Sequence, residues 1–250
     1  MKLFNRQSPN SLMYNRKFCL STLIVSLLLG SANHVLAGAK DDPLLTKVLI
    51  DQLEVHNADD GNPWVLDGQG WIGKDLQKLW LKAEVERNDG ETEEAELQAL
   101  YSQAIAPFWD VQVGLRQDFQ PTPNRSWAVF GFQGLAPYFF EIDTALFIGE
   151  SGRTALRLEA EYELLFTQRL ILTPEIEVNF YGQNDEDLGI GSGLSDVEAG
   201  LRLRYEIRRE FAPYIGVNWN KSFGNTADFT RAEGGDTDDL QWVIGVRAWF

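Results

Sequence analysis

The sequence predicts an all-β protein, a transmembrane antiparallel β-barrel of about 12 strands. Three observations predict it. Segments of about ten residues alternate apolar and polar side chains along most of the chain, which is the period of a strand with two unlike faces. Past the first 37 residues no apolar run approaches the about eighteen residues of a spanning helix. Leu240, Trp242, Ile244, Val246, Ala248 and Phe250 alternate with Gln241, Gly245 and Arg247, ending on an aromatic carboxy terminus of the kind that closes bacterial outer-membrane barrels.

At the other end, Lys2, Arg6, Arg16 and Lys17 precede the uncharged run Phe18 to Gly30, and Val35-Leu36-Ala37 supplies a small-residue cleavage pattern. This predicts a secretory signal peptide over 1–37. The 13-residue run is too short for a membrane anchor. Cys19 follows Arg16, Lys17 and Phe18, where a lipoprotein would need small residues. Residues 38–47 are then a short lead and 48–250 the barrel.

The strands are read in order. Irregular candidates fall near 44–56 and 63–73. Leu79, Leu81, Ala83 and Val85 alternate with Lys82, Glu84 and Glu86. Further segments run from Ala95 to Tyr101, from Trp109 to Asp118, over 126–133, and from Phe140 to Ile148. Between Ala155 and Leu165, Leu156, Leu158, Ala160, Tyr162 and Leu164 would face lipid, while Arg157, Glu159, Glu161 and Glu163 would face inward. Ile176 to Tyr181, Val197 to Arg208, Ile215 to Asn220 and the terminal strand complete twelve. Pro174 cannot donate a ladder hydrogen bond, which predicts a bulge there or a later strand start. Short turns are expected at 73–75, 106–107, 136–137, 167–168 and 209–210. Longer loops are expected at 57–62, 88–93, 119–125, 182–195 and 221–238. Short turns belong on the periplasmic side and longer loops outside. An antiparallel sandwich also alternates, but with its apolar face in a core and its polar face in water.

Composition narrows the chemistry. Removing residues 1–37 removes Cys19, both Met and His34, so His56 is the one remaining His. Disulfides, thiolate catalysis, zinc fingers and thioether copper sites are excluded by that inventory. Eighteen Lys and Arg then face 37 Asp and Glu, a net charge of −19, which argues against nucleic acid and toward cations. Alternation places more acids than bases inside, among them Asp67, Glu175, Glu198 and Glu206, against Lys82, Arg116, Arg202, Arg208 and Arg247. Arg–Glu pairs between strands would neutralise some of these charges. The surplus makes a cation-attracting interior. Candidate metal ligands are therefore Asp110, Asp118, Glu141, Asp143, Glu159, Glu161 and Glu163, together with His56 and Glu54 at the end of the first strand. The alternative for His56 is a solvated residue at a strand end.

Several phrases resemble the copper-resistance protein B family (CopB/PcoB). They include Leu79-Trp80-Leu81-Lys82, Ala104-Ile105-Ala106-Pro107-Phe108-Trp109-Asp110, Trp127-Ala128-Val129-Phe130-Gly131 and the runs Arg153 to Glu163 and Arg202 to Val217. The resemblance implies an outer-membrane barrel of copper tolerance, working with a periplasmic multicopper oxidase. It also implies a Met- and His-rich segment ahead of the barrel, whereas Gly38 to Lys47 contains neither residue. What carries over is the barrel and its acidic lumen, with copper as a transported or weakly bound ion rather than a fixed cofactor.

Two other classes remain beside a copper-handling barrel. One is a structural outer-membrane barrel with no metal role. The other is a barrel hydrolase, which would need a base and a nucleophile; with one His and no G-x-S-x-G motif, the expectation is no enzyme activity.

Overall fold

The structure is a computed structural model that describes residues 42–57 and 61–250. The expected signal peptide and residues 38–41 of the lead lie outside the described residues. Strands β1 (Leu45–Asn57), β2 (Trp64–Gly73), β3 (Gln77–Asn88), β4 (Glu91–Ala106), β5 (Trp109–Gln120), β6 (Arg125–Ala136) and β7 (Phe140–Gly149) follow one another as antiparallel neighbours. Next come β8 (Thr154–Glu161), the two-residue β9 (Leu164–Leu165), β10 (Leu170–Tyr181), β11 (Gly193–Tyr205), β12 (Phe211–Ser222) and β13 (Asp238–Trp249). Both β8 and β9 pair with β10, so the two are one crossing and the barrel has twelve. Pairing of β13 with β1, from Leu49 opposite Trp249 to Asn57 opposite Trp242, closes the ring.

Alternation sorts the side chains as the sequence predicts. Leu79, Leu81, Leu115, Ile215, Trp242 and Ile244 stand exposed on the outer wall. Glu54, Glu96, Gln98, Ser102, Gln112, Arg202 and Asn218 are buried inside. A soluble sandwich has the opposite polarity, so the wall is built for hydrocarbon. Part of the interior is nonetheless apolar. Leu100, Trp127, Val129, Phe147 and Ala155 form a buried cluster with Trp80, Ala145 and Tyr181 packed against it.

Pro174 behaves differently from either expectation. Strand β10 starts earlier, at Leu170, and runs in register through Pro174 opposite Leu201. Its neighbour breaks instead. The Pro174 carbonyl accepts from Tyr162 N–H at 3.0 Å, but proline has no N–H to return the bond, and the strand is interrupted between β8 and β9.

Segment 88–93 is not a longer loop. Only Asp89 and Gly90 join β3 to β4, with φ of 48° and 87°, as a two-residue primed hairpin requires. The Asp-Gly dipeptide is what such a turn selects, and β4 grows to 16 residues in consequence. Segment 221–238 holds a helix, α1 (Gly224–Glu233), stopped by Gly234 at a left-handed φ of 86°. Glu206 and Arg208, expected inside, lie in the turn after β11, because that strand ends at Tyr205.

Close strand packing sets one sharp requirement. A Cβ on Gly114 would collide with the Ala99 carbonyl oxygen and lie 2.8 Å from Leu100 Cα. A Cβ on Gly68 would meet nothing nearer than 3.6 Å. Gly114→Ala should therefore cost about 3 kcal/mol, the upper end of overpacking, and Gly68→Ala much less. Urea unfolding in detergent, read from the heat-modifiable gel shift, checks the difference.

Candidate functional site

The lumen contains a cavity of about 860 Å3 bounded mainly by charged and amide side chains. Its walls follow from register. Asp143 of β7, Glu159 of β8, Glu177 of β10 and Glu198 of β11 are consecutive cross-strand partners. A second row joins Glu141, Glu161 and Glu175. Across the cavity, Asp67, Glu84 and Glu96 are aligned on β2, β3 and β4. Like charges placed directly opposite one another destabilise a sheet unless counter-charges reach them.

Those counter-charges arrive from across the lumen. Lys82 of β3 reaches Asp143 of β7 at 2.5 Å. Arg157 of β8 reaches Glu96 of β4 at 3.3 Å and Glu84 of β3 at 3.9 Å. Arg247 of β13 reaches Glu163 at 3.3 Å and Asp51 at 3.2 Å. The amide of Gln52 on β1 donates to Glu175 of β10 at 3.2 Å. Most of these links skip three intervening strands, so they cross the lumen as chords. They still leave acids over. The carboxylates of Asp67, Glu94, Glu141, Glu159 and Glu161 make no hydrogen bond or ion pair among the described residues, while that of Glu198 receives one bond, from Asn218 at 2.9 Å.

The sequence candidates divide accordingly. Glu141, Asp143, Glu159 and Glu161 come together on the cavity wall. Glu163 lies apart from it, bound by Arg204 and Arg247. Asp110 accepts from Ser102 at 3.0 Å and pairs with Lys78 at 3.5 Å. Asp118 accepts from Arg116 at 2.6 Å and from the Trp127 indole at 2.7 Å. His56 is the penultimate residue of β1, yet it is not solvated: its ring is buried between the Glu54 and Gln241 side chains. Its Nε2 lies 2.8 Å from Glu54 Oε1 and its Nδ1 2.5 Å from Gln241 Oε1. Glu54 in turn accepts from Arg202 at 3.0 and 2.8 Å and from the Tyr214 hydroxyl at 2.8 Å. Both ring nitrogens and both carboxylate oxygens are thus engaged within the protein.

Three lumen acids were not among those the sequence placed inside. Asp51 sits where the β1 register shifts after Ile50. Glu94 keeps the parity of Glu96 but lies between the loop expected at 88–93 and the strand read from Ala95. Asp196 likewise keeps the parity of Glu198 but precedes the strand read from Val197. The Asp-Gly turn was the signal that could have recovered Glu94. Carboxylate oxygens of Glu84, Glu94 and Glu96 lie within 4.8 Å of one another, the closest acidic grouping among the described residues. All-oxygen donors suit hard or borderline divalent cations rather than Cu(I).

The profile described as "Copper resistance protein B precursor (CopB)" matches residues 44–250, the whole closed ring. The chain belongs to the copper resistance protein B family. It is 52% identical over 203 residues to copper resistance protein B of Escherichia coli, covering 81% of this chain and 69% of that protein. A copper resistance protein B homolog of Pseudomonas syringae pv. tomato is 50% identical over 210 residues, covering 84% and 71%. Among solved structures, the NanC porin superposes with a TM-score of 0.53 at 12% identity, over 82% of this chain and 99% of that one. That likeness establishes the porin-like barrel fold of this CopB-family chain.

The Glu54 cluster gives a quantitative expectation for this family member. Arg202→Met would leave the fully buried Glu54 carboxylate without its bidentate partner, a loss of about 3–5 kcal/mol. Arg231→Met, at the exposed pair with Asp228 on α1, should change stability by less than about 0.5 kcal/mol. Paired urea titrations of the refolded barrels measure both.

Proposed function

We propose that this CopB-family barrel resides in the outer membrane of a Gram-negative cell, delivered there by the signal peptide over 1–37, and serves copper resistance by attracting copper ions into its acidic lumen and holding or passing them. Copper is the cargo, and a periplasmic multicopper oxidase of the same resistance system is its proposed partner. The reading includes no covalent chemistry. The one observation that carries it is the surplus of lumen carboxylates without a basic partner, on walls where register sets them side by side.

Magnitudes favour a distributed cation path over a single ligand. One carboxylate about 8 Å from a divalent ion contributes roughly 4 kcal/mol at an effective dielectric of about 20, and several surround the same cavity. His56 offers one imidazole, already bonded to Glu54 and Gln241. The second reading, a structural barrel with no metal role, draws on the chords, since each neutralises part of the charge.

Replacing Glu141, Glu159 and Glu161 together by Gln should lower copper tolerance of expressing cells and copper flux into proteoliposomes several-fold, while His56→Ala changes flux less than the triple variant does. Equal flux from wild type and a correctly inserted triple variant would favour the structural reading. Loss of flux in His56→Ala alone would favour a discrete histidine site.

A further inference from the structure

We infer that Arg157 is the residue that limits and selects cation passage: its guanidinium is a transverse bolt across the acidic lumen. The inference rests on the lumen reading above and names the side chain that sets its rate and charge preference.

The geometry singles out this residue. Arg157 leaves the middle of β8, and its three nitrogens reach three other strands. The Nη2 group lies 3.3 Å from Glu96 on β4, Nη1 lies 3.9 Å from Glu84 on β3, and Nε lies 3.3 Å from Glu177 on β10. Nε also faces the Asn179 amide oxygen at 3.4 Å. Three strands, β5, β6 and β7, lie between Arg157 and Glu96 around the ring, so the side chain spans the lumen rather than lying along one wall. Its guanidinium carbon stands 5.8 Å from the centre of the Phe147 ring, which belongs to the buried apolar cluster. Arg157 therefore stands between an apolar ring and the acidic rows, and it borders the same cavity as the unpaired Glu94 and Glu159.

Other chords do less. Lys82 meets one acid, Asp143, near the turn end of β7. Arg116 shares Glu96 but also pairs with Asp118 on its own strand and stays against the wall. Arg157 alone among them engages acids on three separate strands, two of them belonging to the oxygen grouping Glu84, Glu94 and Glu96. A cation travelling along the acidic rows meets a fixed positive charge at that point, and must pass beside it or compete for its carboxylates. Divalent ions compete better than monovalent ones, because their attraction to each carboxylate is doubled.

The test uses the full-length barrel in planar bilayers and in proteoliposomes, with potassium chloride and copper(II) chloride as probes. Relative to wild type, Arg157→Gln should raise potassium conductance at least two-fold, move the reversal potential further toward cation selectivity and reduce the preference for copper over potassium. Arg157→Lys keeps the charge but not the three-way fork, and should fall between the two. Arg231→Gln on the outer helix is the control and should match wild type. Each variant is compared only as the heat-modifiable, inserted form. A cation-selective wild type whose conductance and reversal potential are unchanged by Arg157→Gln overturns the role of Arg157 and leaves the lumen reading standing. If neither wild type nor Arg157→Gln passes cations, both fall together. A silent wild type beside a conducting Arg157→Gln supports the bolt directly.

Discussion

Everything in this fold depends on the requirement that backbone N–H and C=O groups find partners inside the wall, because hydrocarbon offers none. Pairing of β13 with β1 satisfies it by removing both sheet edges. Once the ring is closed, side-chain direction is no longer adjustable. A residue faces lipid or lumen by its parity along the strand, and a shift of one position would exchange the two faces. The wall tolerates an unsatisfied position only locally, as where Pro174 has no N–H for Tyr162 and the neighbouring strand divides.

The same constraint generates the chemistry of the lumen. Parity and in-register pairing bring Asp143, Glu159, Glu177 and Glu198 into one row, although in the sequence they are separated by many residues. Repulsion within such rows is relieved by long basic side chains that cross the barrel. Arginine suits this task because its planar fork can serve several carboxylates at once. Arg202 shows the fully compensated extreme, with Glu54, Tyr214 and His56 joined into a buried cluster that spans the closing seam.

Much of this was legible in the sequence wherever alternation is strict. The segment Ala155 to Leu165 announces its lipid face and its acids directly, and twelve crossings could be counted from such segments with their turns. Legibility failed where a local event breaks the period. The β1 register shift conceals Asp51, and reading the Asp89-Gly90 turn as a longer loop put the start of the next strand after Glu94. Contacts between distant strands leave no local trace. Nothing around His56 in the sequence signals Arg202 or Gln241, so its burial could not be read there. For the same reason the acidic character of the lumen was legible, but the identity of the bridging residues was not.

The apolar cluster around Phe147 and Trp127 has a consequence for the water that remains. Its members stand on β4, β6, β7 and β8, three of which also carry lumen acids, and fill part of the interior with low-dielectric matter that excludes solvent. Field lines from the lumen carboxylates spread poorly through that filling and are concentrated in the water that remains. A given number of charges then produces a deeper potential than it would in a wide aqueous pore, and salt screens it less than it would an open surface. The bulky apolar side chains inside the barrel are in this sense part of its electrostatics, acting by the solvent they displace.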